Sequence, residues 1–351
     1  MDLLRLRLRN QRLTGPPLPT PEAVVAWFGA VQAQDYSGAR WAVALRTRAA
    51  TERAVDRACD DGAIIRTHVL RPTWHLVLPA DLRWMLALTA PRVNQAMTYY
   101  NRVLELDDRV FGRANAVLAR ALAGKQLTRT ELGRALVAAK IAAPAQRLGH
   151  LLMRAELDAV ICSGARRGKQ ATYALVDERC PRVAPIDRDD ALGRLATRYF
   201  TAHGPARVAD FAWWSGLTTA DARRAIAIAA LPSRELDGEP HHLVAAPTPR
   251  AAATLHLLPN FDEYLVAYKH RAATLHDAIP AALGPPNALL AKYVVVLDGR
   301  VVGAWRRTLG PTVTVTTQLA HPLTRPQRAA LARAVTRYGE FLERPARLSL
   351  D

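Results

Sequence analysis

The sequence predicts an α+β fold, mainly helical: three successive helix-turn-helix units, at least two of them closed by a β-hairpin, and a strand-rich segment at the end. Three observations predict it. Capped amphipathic helices recur along the first 230 residues, pairs of short strands joined by tight turns follow the first two helix sets, and beyond Pro247 the apolar spacing changes from helical to alternating. The 351 residues allow two or three modules at roughly 150 residues each. Half the residues are apolar and 23% charged with no long low-complexity run, so the whole chain is expected to fold.

In the first unit, Thr20 followed by Pro21 and Glu22 is a helix start, and Val24, Val25, Phe28 and Val31 recur at helical spacing to an end near Val31. A short helix over 52–60 stops at Gly62. Strands over 64–70 and 73–78 flank a turn at Arg71-Pro72. Helices capped by such a hairpin form the winged-helix pattern, with the hairpin as the wing. The second unit opens with the capping box Thr128-x-x-Glu131, continues in a helix over 144–158, and closes with strands at 160–163 and 171–176 around a basic turn. The third has helices over 188–203 and 208–215, a turn at Gly216, and a helix opened by Thr218-x-x-Asp221. Strands over 293–298, 301–308 and 313–317 with an Asp298-Gly299 turn, then a helix capped by Thr324, predict a small β-barrel or sheet at the end. The expected domains are 1–112, 113–185, 186–250 and 251–351.

The charge balance is +17, and all but five of the 48 basic residues are arginine, whose fixed fork suits phosphates and guanine edges. Such an excess points toward a polyanionic partner. Cys59, Cys162 and Cys180 lack CxxC spacing, which indicates neither a disulfide framework nor a zinc site, and no cofactor is expected. No stretch has the pattern of a secretion signal or a membrane span, so a cytosolic protein is expected.

Glycine-rich phosphate loops, HExxH and nucleophile-elbow serines are absent from the sequence. What remains is Gln32-Ala33-Gln34, two amides separated by one small residue where the first helix ends. In an extended exit from that helix, positions i and i+2 face the same way, and two amides can converge on one point. Amides are poor bases, but they orient a water and place carbonyl oxygens beside a developing cation.

These residues, together with Leu8-Arg9-x-x-Arg12-Leu13, Asp35, the run from Arg66 through His68 and Arg71 to His75, Ala212-Trp213-Trp214-Ser215-Gly216-Leu217, and the segment from Leu258 to Leu265, give the chain its resemblance to a known family. Over nearly all its length it resembles the AlkZ and YcaQ group of winged-helix DNA glycosylases. The family's glutamine-apolar-glutamine motif falls on Gln32 and Gln34, as in the AlkZ branch. The resemblance implies three tandem winged helices and a β-barrel, C-shaped around double-stranded DNA, excising bulky alkylpurines and, in some members, unhooking interstrand crosslinks.

Chemistry agrees with that implication. A purine alkylated on a ring nitrogen is cationic, its glycosidic bond is already weakened, and the sugar passes through an oxocarbenium-like state. A positioned water and anion-like surroundings then suffice, with Gln32 and Gln34 as the catalytic pair. Arg66, His68 and Arg71, with His75, line the DNA cleft or simply alternate along a half-exposed strand. Arg166, Arg167 and Lys169 on the second basic turn suit phosphate contacts. Arg223 and Arg224 are either recognition or packing residues. Trp213, Trp214 and Trp305 are expected in the core, and Asp262, Glu263 and Tyr264 in capping and salt-bridge roles. Two other functions fit the same composition: a non-enzymatic DNA-binding regulator and a drug-sequestering resistance protein. Three dissimilar units in one chain argue against a dimeric reader of palindromes and for a monomer.

Overall fold

A computed structural model describes residues 2–236, 238–244, 254–275, 279, 283–285 and 287–350. The chain starts with α1 (Leu3–Asn10) and α2 (Pro21–Phe28), followed by β1 (Val31–Gln32), α3 (Tyr36–Ala44) and α4 (Glu52–Asp60). The Thr20 hydroxyl accepts from the Ala23 N–H at 3.2 Å and Pro21 opens the first turn of α2. Gly29, at φ 79°, ends the helix three residues before the sequence predicts. That early stop frees Val31-Gln32 to become a strand.

The first hairpin is β2 (Ile65–Val69) and β3 (Arg71–Val77), turning on Leu70 at φ 65°. The expected turn at Arg71-Pro72 therefore lies inside β3. The ladder shifts register between His68 and Val69, which gives Pro72 a place where a missing N–H is tolerated. β1 joins as the third strand, in the order β1-β3-β2, with Gln32 opposite His75.

The long α5 (Pro79–Val103) contains Pro91 and leads into α6 (Asp108–Leu122). Next come β4 (Leu127–Thr128), α7 (Arg129–Ala138), α8 (Ala145–Leu157), β5 (Ile161–Ser163), β6 (Thr172–Leu175) and α9 (Val176–Arg179). The capping box forms as predicted, with Thr128 and Glu131 bonding each other's backbone N–H. A three-stranded sheet, β4-β6-β5, closes this unit. The third set is α10 (Arg188–His203), α11 (Val208–Ser215) and α12 (Thr219–Ile228), followed by the hairpin of β7 (Ser233–Leu236) and β8 (Glu239–His242).

The C-terminal part comprises β9 (Leu255–Leu258), α13 (Glu263–Val266), β10 (Val294–Leu297), β11 (Arg300–Thr308), β12 (Val313–Leu319), α14 (Arg325–Phe341) and β13 (Ala346–Leu350). The Asp298-Gly299 turn joins β10 and β11 as expected. The barrel-or-sheet alternative resolves into a curled five-stranded sheet, β13-β12-β11-β10-β9, in which only the β12/β13 pair is parallel.

Three hydrophobic cores hold these parts together, and they do not follow chain order. Val24, Phe28, Trp41 and Val43 from the start share one core with Leu257, Val295, Val315 and Tyr338 from the end. A second joins the first hairpin and α5 to α10, α11 and α12, and a third belongs to α6, α7 and α8. The first core presses β1 between the N-terminal helices and the segment 258–265. Among the described residues no helix is long and apolar enough to cross a membrane.

Candidate active site

Gln32 lies within the short β1 and Gln34 two residues on, past its end, and the two glutamines meet different surroundings. Gln32 is 8% exposed and Ala33 fully buried, whereas Gln34 is exposed. The Gln32 N–H donates to Glu263 Oε1 at 2.7 Å, and its side-chain Oε1 accepts from Arg71 Nη2 at 2.5 Å. Ala33 is gripped twice: its N–H donates to the Trp74 carbonyl at 2.7 Å, and its own carbonyl accepts both Nε and Nη2 of Arg66 at 3.0 and 2.9 Å. Gln34 Oε1 lies 3.4 Å from the Trp74 N–H, and Asp35 turns the chain by capping α3 through Ser37 and Gly38. The motif is therefore a rigid extended exit, whose first amide is clamped and whose second meets solvent. Each amide carbonyl keeps a second lone pair with which to accept from a water.

Behind Gln32 lies a buried carboxylate. Glu263, 1% exposed, sits on the one-turn α13 and accepts from the Gln32 N–H, from His203 Nε2 at 3.0 Å and from Trp214 Nε1 at 3.0 Å. Burial pushes its carboxyl up. The hydrogen bond and charge of His203, the Gln32 N–H and the nearby Arg71 more than offset this and hold it below its usual value. The neighbouring Asp262 forms a bidentate pair with Arg46 at 2.9 and 2.8 Å, and Gln11 Nε2 donates to the Glu263 carbonyl at 3.2 Å. Asp262 thus plays the expected capping and salt-bridge role. Glu263 goes beyond it by holding the motif itself.

Around this centre the structure distributes the other candidate residues. Arg66 and Arg71 join the motif directly, Arg71 also donating to the Trp213 carbonyl at 3.2 Å. His68 is turned inward, in a short hydrogen bond to Glu156 and with its ring 4.3 Å from that of Trp74. His75, directly opposite Gln32, is fully buried. Its Nδ1–H donates to the Thr73 carbonyl at 3.0 Å and its Nε2 finds no partner among the described residues. Burial, with the charge of Arg71, holds it well below the usual histidine value, so the ring is neutral. Arg166 is tied to Asp56 at 2.8 Å and Asp60 at 2.7 Å, and Arg167 to Glu131 at 2.8 Å. Lys169 is exposed and forms no ion pair among the described residues. Arg224 pairs with Asp189 at 2.6 Å.

One expectation about the core needs correction. Trp214 and Trp305 are buried, but Trp213 is 43% exposed. On the short α11 adjacent positions point about 100° apart, so with Trp214 turned into the core, Trp213 faces out, its Nε1 on the Val266 carbonyl at 3.0 Å. What sequence reading missed is the convergence of Glu263, His203, Trp214 and Gln11 behind Gln32. The signal was an acid set among Phe261, Tyr264, Leu265 and Val266, too apolar a context for a solvated carboxylate.

The profile of the DNA glycosylase AlkZ-like family matches residues 25–341. The chain belongs to this family. A curated member of similar sequence, described as an interstrand DNA cross-link repair glycosylase from Streptomyces sahachiroi, is 28% identical over 326 residues, which cover 85% of each chain. The solved structure of the Streptomyces sahachiroi DNA glycosylase AlkZ superposes with a TM-score of 0.77 at 23% identity, covering 99% of this chain and 98% of that one. Membership in the AlkZ-like family favours the glycosylase reading over the regulator and the drug-binding protein, and makes DNA the substrate.

Proposed function

We propose that this AlkZ-like protein is a monofunctional DNA glycosylase that releases cationic alkylpurines, of the seven-alkylguanine type, from duplex DNA, and that like its Streptomyces relative it acts on interstrand crosslinks. The observation that carries the reading is the Gln32-Ala33-Gln34 segment, fixed in extended form by Arg66, Arg71, Trp74 and Glu263, with Gln34 facing solvent. In this reading the tandem helix-turn-helix units curve as a C around the duplex, and a single chain, at the nucleoid, does the work.

The chemistry follows from what the residues supply. A cationic base is a good leaving group without protonation, so no general acid of raised pKa is required. As the glycosidic bond breaks, positive charge develops on the sugar. The carboxylate of Glu263, one peptide away through the Gln32 N–H, supplies negative potential in a setting that needs no reorganisation. The carbonyl of Gln34, with that of Gln32, accepts from the attacking water and aims its lone pair at the anomeric carbon. The water adds to that carbon, its proton leaves to solvent, and the purine departs neutral. No lysine lies in the motif, so the product is an abasic site on an intact strand.

The test is single-turnover release of base from a duplex bearing 7-methylguanine. Gln34→Ala is expected to fold as the parent does and to slow release by about 10²-fold or more, the scale of a positioned catalytic group. Uracil and hypoxanthine should remain in place, and borohydride should trap no covalent protein–DNA species. Parental rates in Gln34→Ala, or a trapped adduct, would show that another residue carries the reaction.

A further inference from the structure

Beside the exposed face of the motif lies a cavity of about 240 Å³. Arg66 and Trp74, the residues that bond Ala33 and Gln34, form one side of it, and Tyr36, two residues beyond Gln34, forms another. Tyr173 of β6 and Glu156 of α8 complete the walls, with Ala171 at an exposed position on the lining. Three aromatic rings thus surround a space that adjoins the reacting end of the motif.

The charges in the walls decide what it takes. Arg66 spends its fork on the Ala33 carbonyl and lies over the Trp74 ring at 4.5 Å, and Arg166 is neutralised by Asp56 and Asp60. Of the three cations on the lining only the exposed Lys169 forms neither hydrogen bond nor ion pair among the described residues, and it shares the walls with the carboxylates of Asp60 and Glu156, so the cavity suits a phosphate poorly. Glu156, 1% exposed, bonds His68 through one oxygen only, leaving a carboxylate edge among the rings. Aromatic faces and one acceptor suit a flat, electron-poor ring. The volume falls short of the roughly 300–1,000 Å³ of pockets for drug-sized ligands, and fits a single fused ring system.

We propose that this cavity is a subsite for a planar heteroaromatic substituent carried on the alkylated purine, so that lesions are selected by their tail as well as by their cationic base. The proposal rests on the glycosylase reading above. Its test uses two duplexes, one with 7-(quinolinylmethyl)guanine and one with 7-methylguanine, and the variants Ala171→Trp, which fills the lining, and Tyr173→Leu, which removes a ring while keeping apolar volume. Affinities are measured in a Gln34→Ala background and release rates in the otherwise parental protein. The quinolinyl duplex should bind about tenfold more tightly than the methyl duplex, and both variants should bring that ratio close to one. Release of 7-methylguanine should change by less than about twofold in either variant. A ratio near one in the parent, or a ratio that both variants leave intact, would overturn the subsite. So would equal losses on both duplexes, which would place the purine itself in the cavity. A parent that keeps the affinity ratio yet releases neither base would uphold the subsite and overturn the glycosylase reading.

Discussion

Gln32 and Gln34 are separated by a single residue and face different media, and this separates what their removal does. Gln34→Ala deletes an exposed amide and is expected to leave stability unchanged. Gln32→Ala strips the Arg71 guanidinium of the acceptor at 2.5 Å and should cost about 1–3 kcal/mol in urea unfolding besides its effect on base release. Glu263 invites a sharper test. Gln in its place must set an N–H₂ against either the Gln32 N–H or the His203 and Trp214 donors, so Glu263→Gln should lower the thermal midpoint and slow release, because both the clamp and the negative potential are lost. A variant with parental midpoint and rate would show that this carboxylate neither holds the motif nor acts on the sugar. Of the site, the glutamine pair was legible because two amides at i and i+2 in a chain without other catalytic signatures stand out. Glu263 was not, since its partners at positions 32, 203 and 214 lie 231, 60 and 49 residues away, and no local spacing reports contacts across such distances.

At the scale of elements, sequence reading succeeded where caps and turns are local and failed where tertiary contact decides. The Thr128 capping box, the α11 helix and the Asp298-Gly299 turn were found because each is written in a few adjacent residues. The hairpin turn was misplaced by one residue, and α5 escaped because Pro91 interrupts its pattern, although packing against α8 and α10 carries the helix through. Gly216 shows how such elements reach the site. At φ 70° it ends α11, and a Cβ there would lie 2.2 Å from the carbonyl oxygen of Leu70, the turn residue just before Arg71. Gly216→Ala combines a left-handed backbone with a clash against backbone that cannot yield freely. It should destabilise by more than about 1 kcal/mol. Because the displaced turn carries Arg71, base release should fall as well, whereas a stable, fully active Gly216→Ala would mean that α11 and the hairpin are not coupled. The effect is read by thermal unfolding and single-turnover release on the same preparation.

For the whole molecule, the excess of positive charge and the burial of neutral histidines set responses to salt and to pH. Many arginines are already paired, so the net charge of +17 overstates the cations available to phosphates. Lys169, exposed and without an ion pair among the described residues, should behave as a phosphate contact: Lys169→Ala is expected to reduce the slope of log affinity against log salt by about one. Arg166→Ala should act mainly on stability, by releasing Asp56 and Asp60. Two buried histidines share the pH response: burial holds His256 down to about 4, and His75 is the one opposite the motif. The folded-state value of His75 lies well below 6.5, so between the two values the unfolded chain binds a proton that the native protein does not. Stability therefore rises with pH across that window and is lost as pH falls below about 6.5, at up to about 1.4 kcal/mol per pH unit from this one group. Glu263 adds its own loss only at lower pH, since its carboxylate is held below the ordinary value and its stabilisation disappears as pH falls through that lowered value. Unfolding free energies at pH 7, 6 and 5 should thus decline in the parent and decline less in His75→Gln, which has no ring to protonate. Identical slopes in the two proteins would mean that the ring opposite Gln32 is solvated or charged in the native state, and that the buried neutral wall behind the motif does not exist.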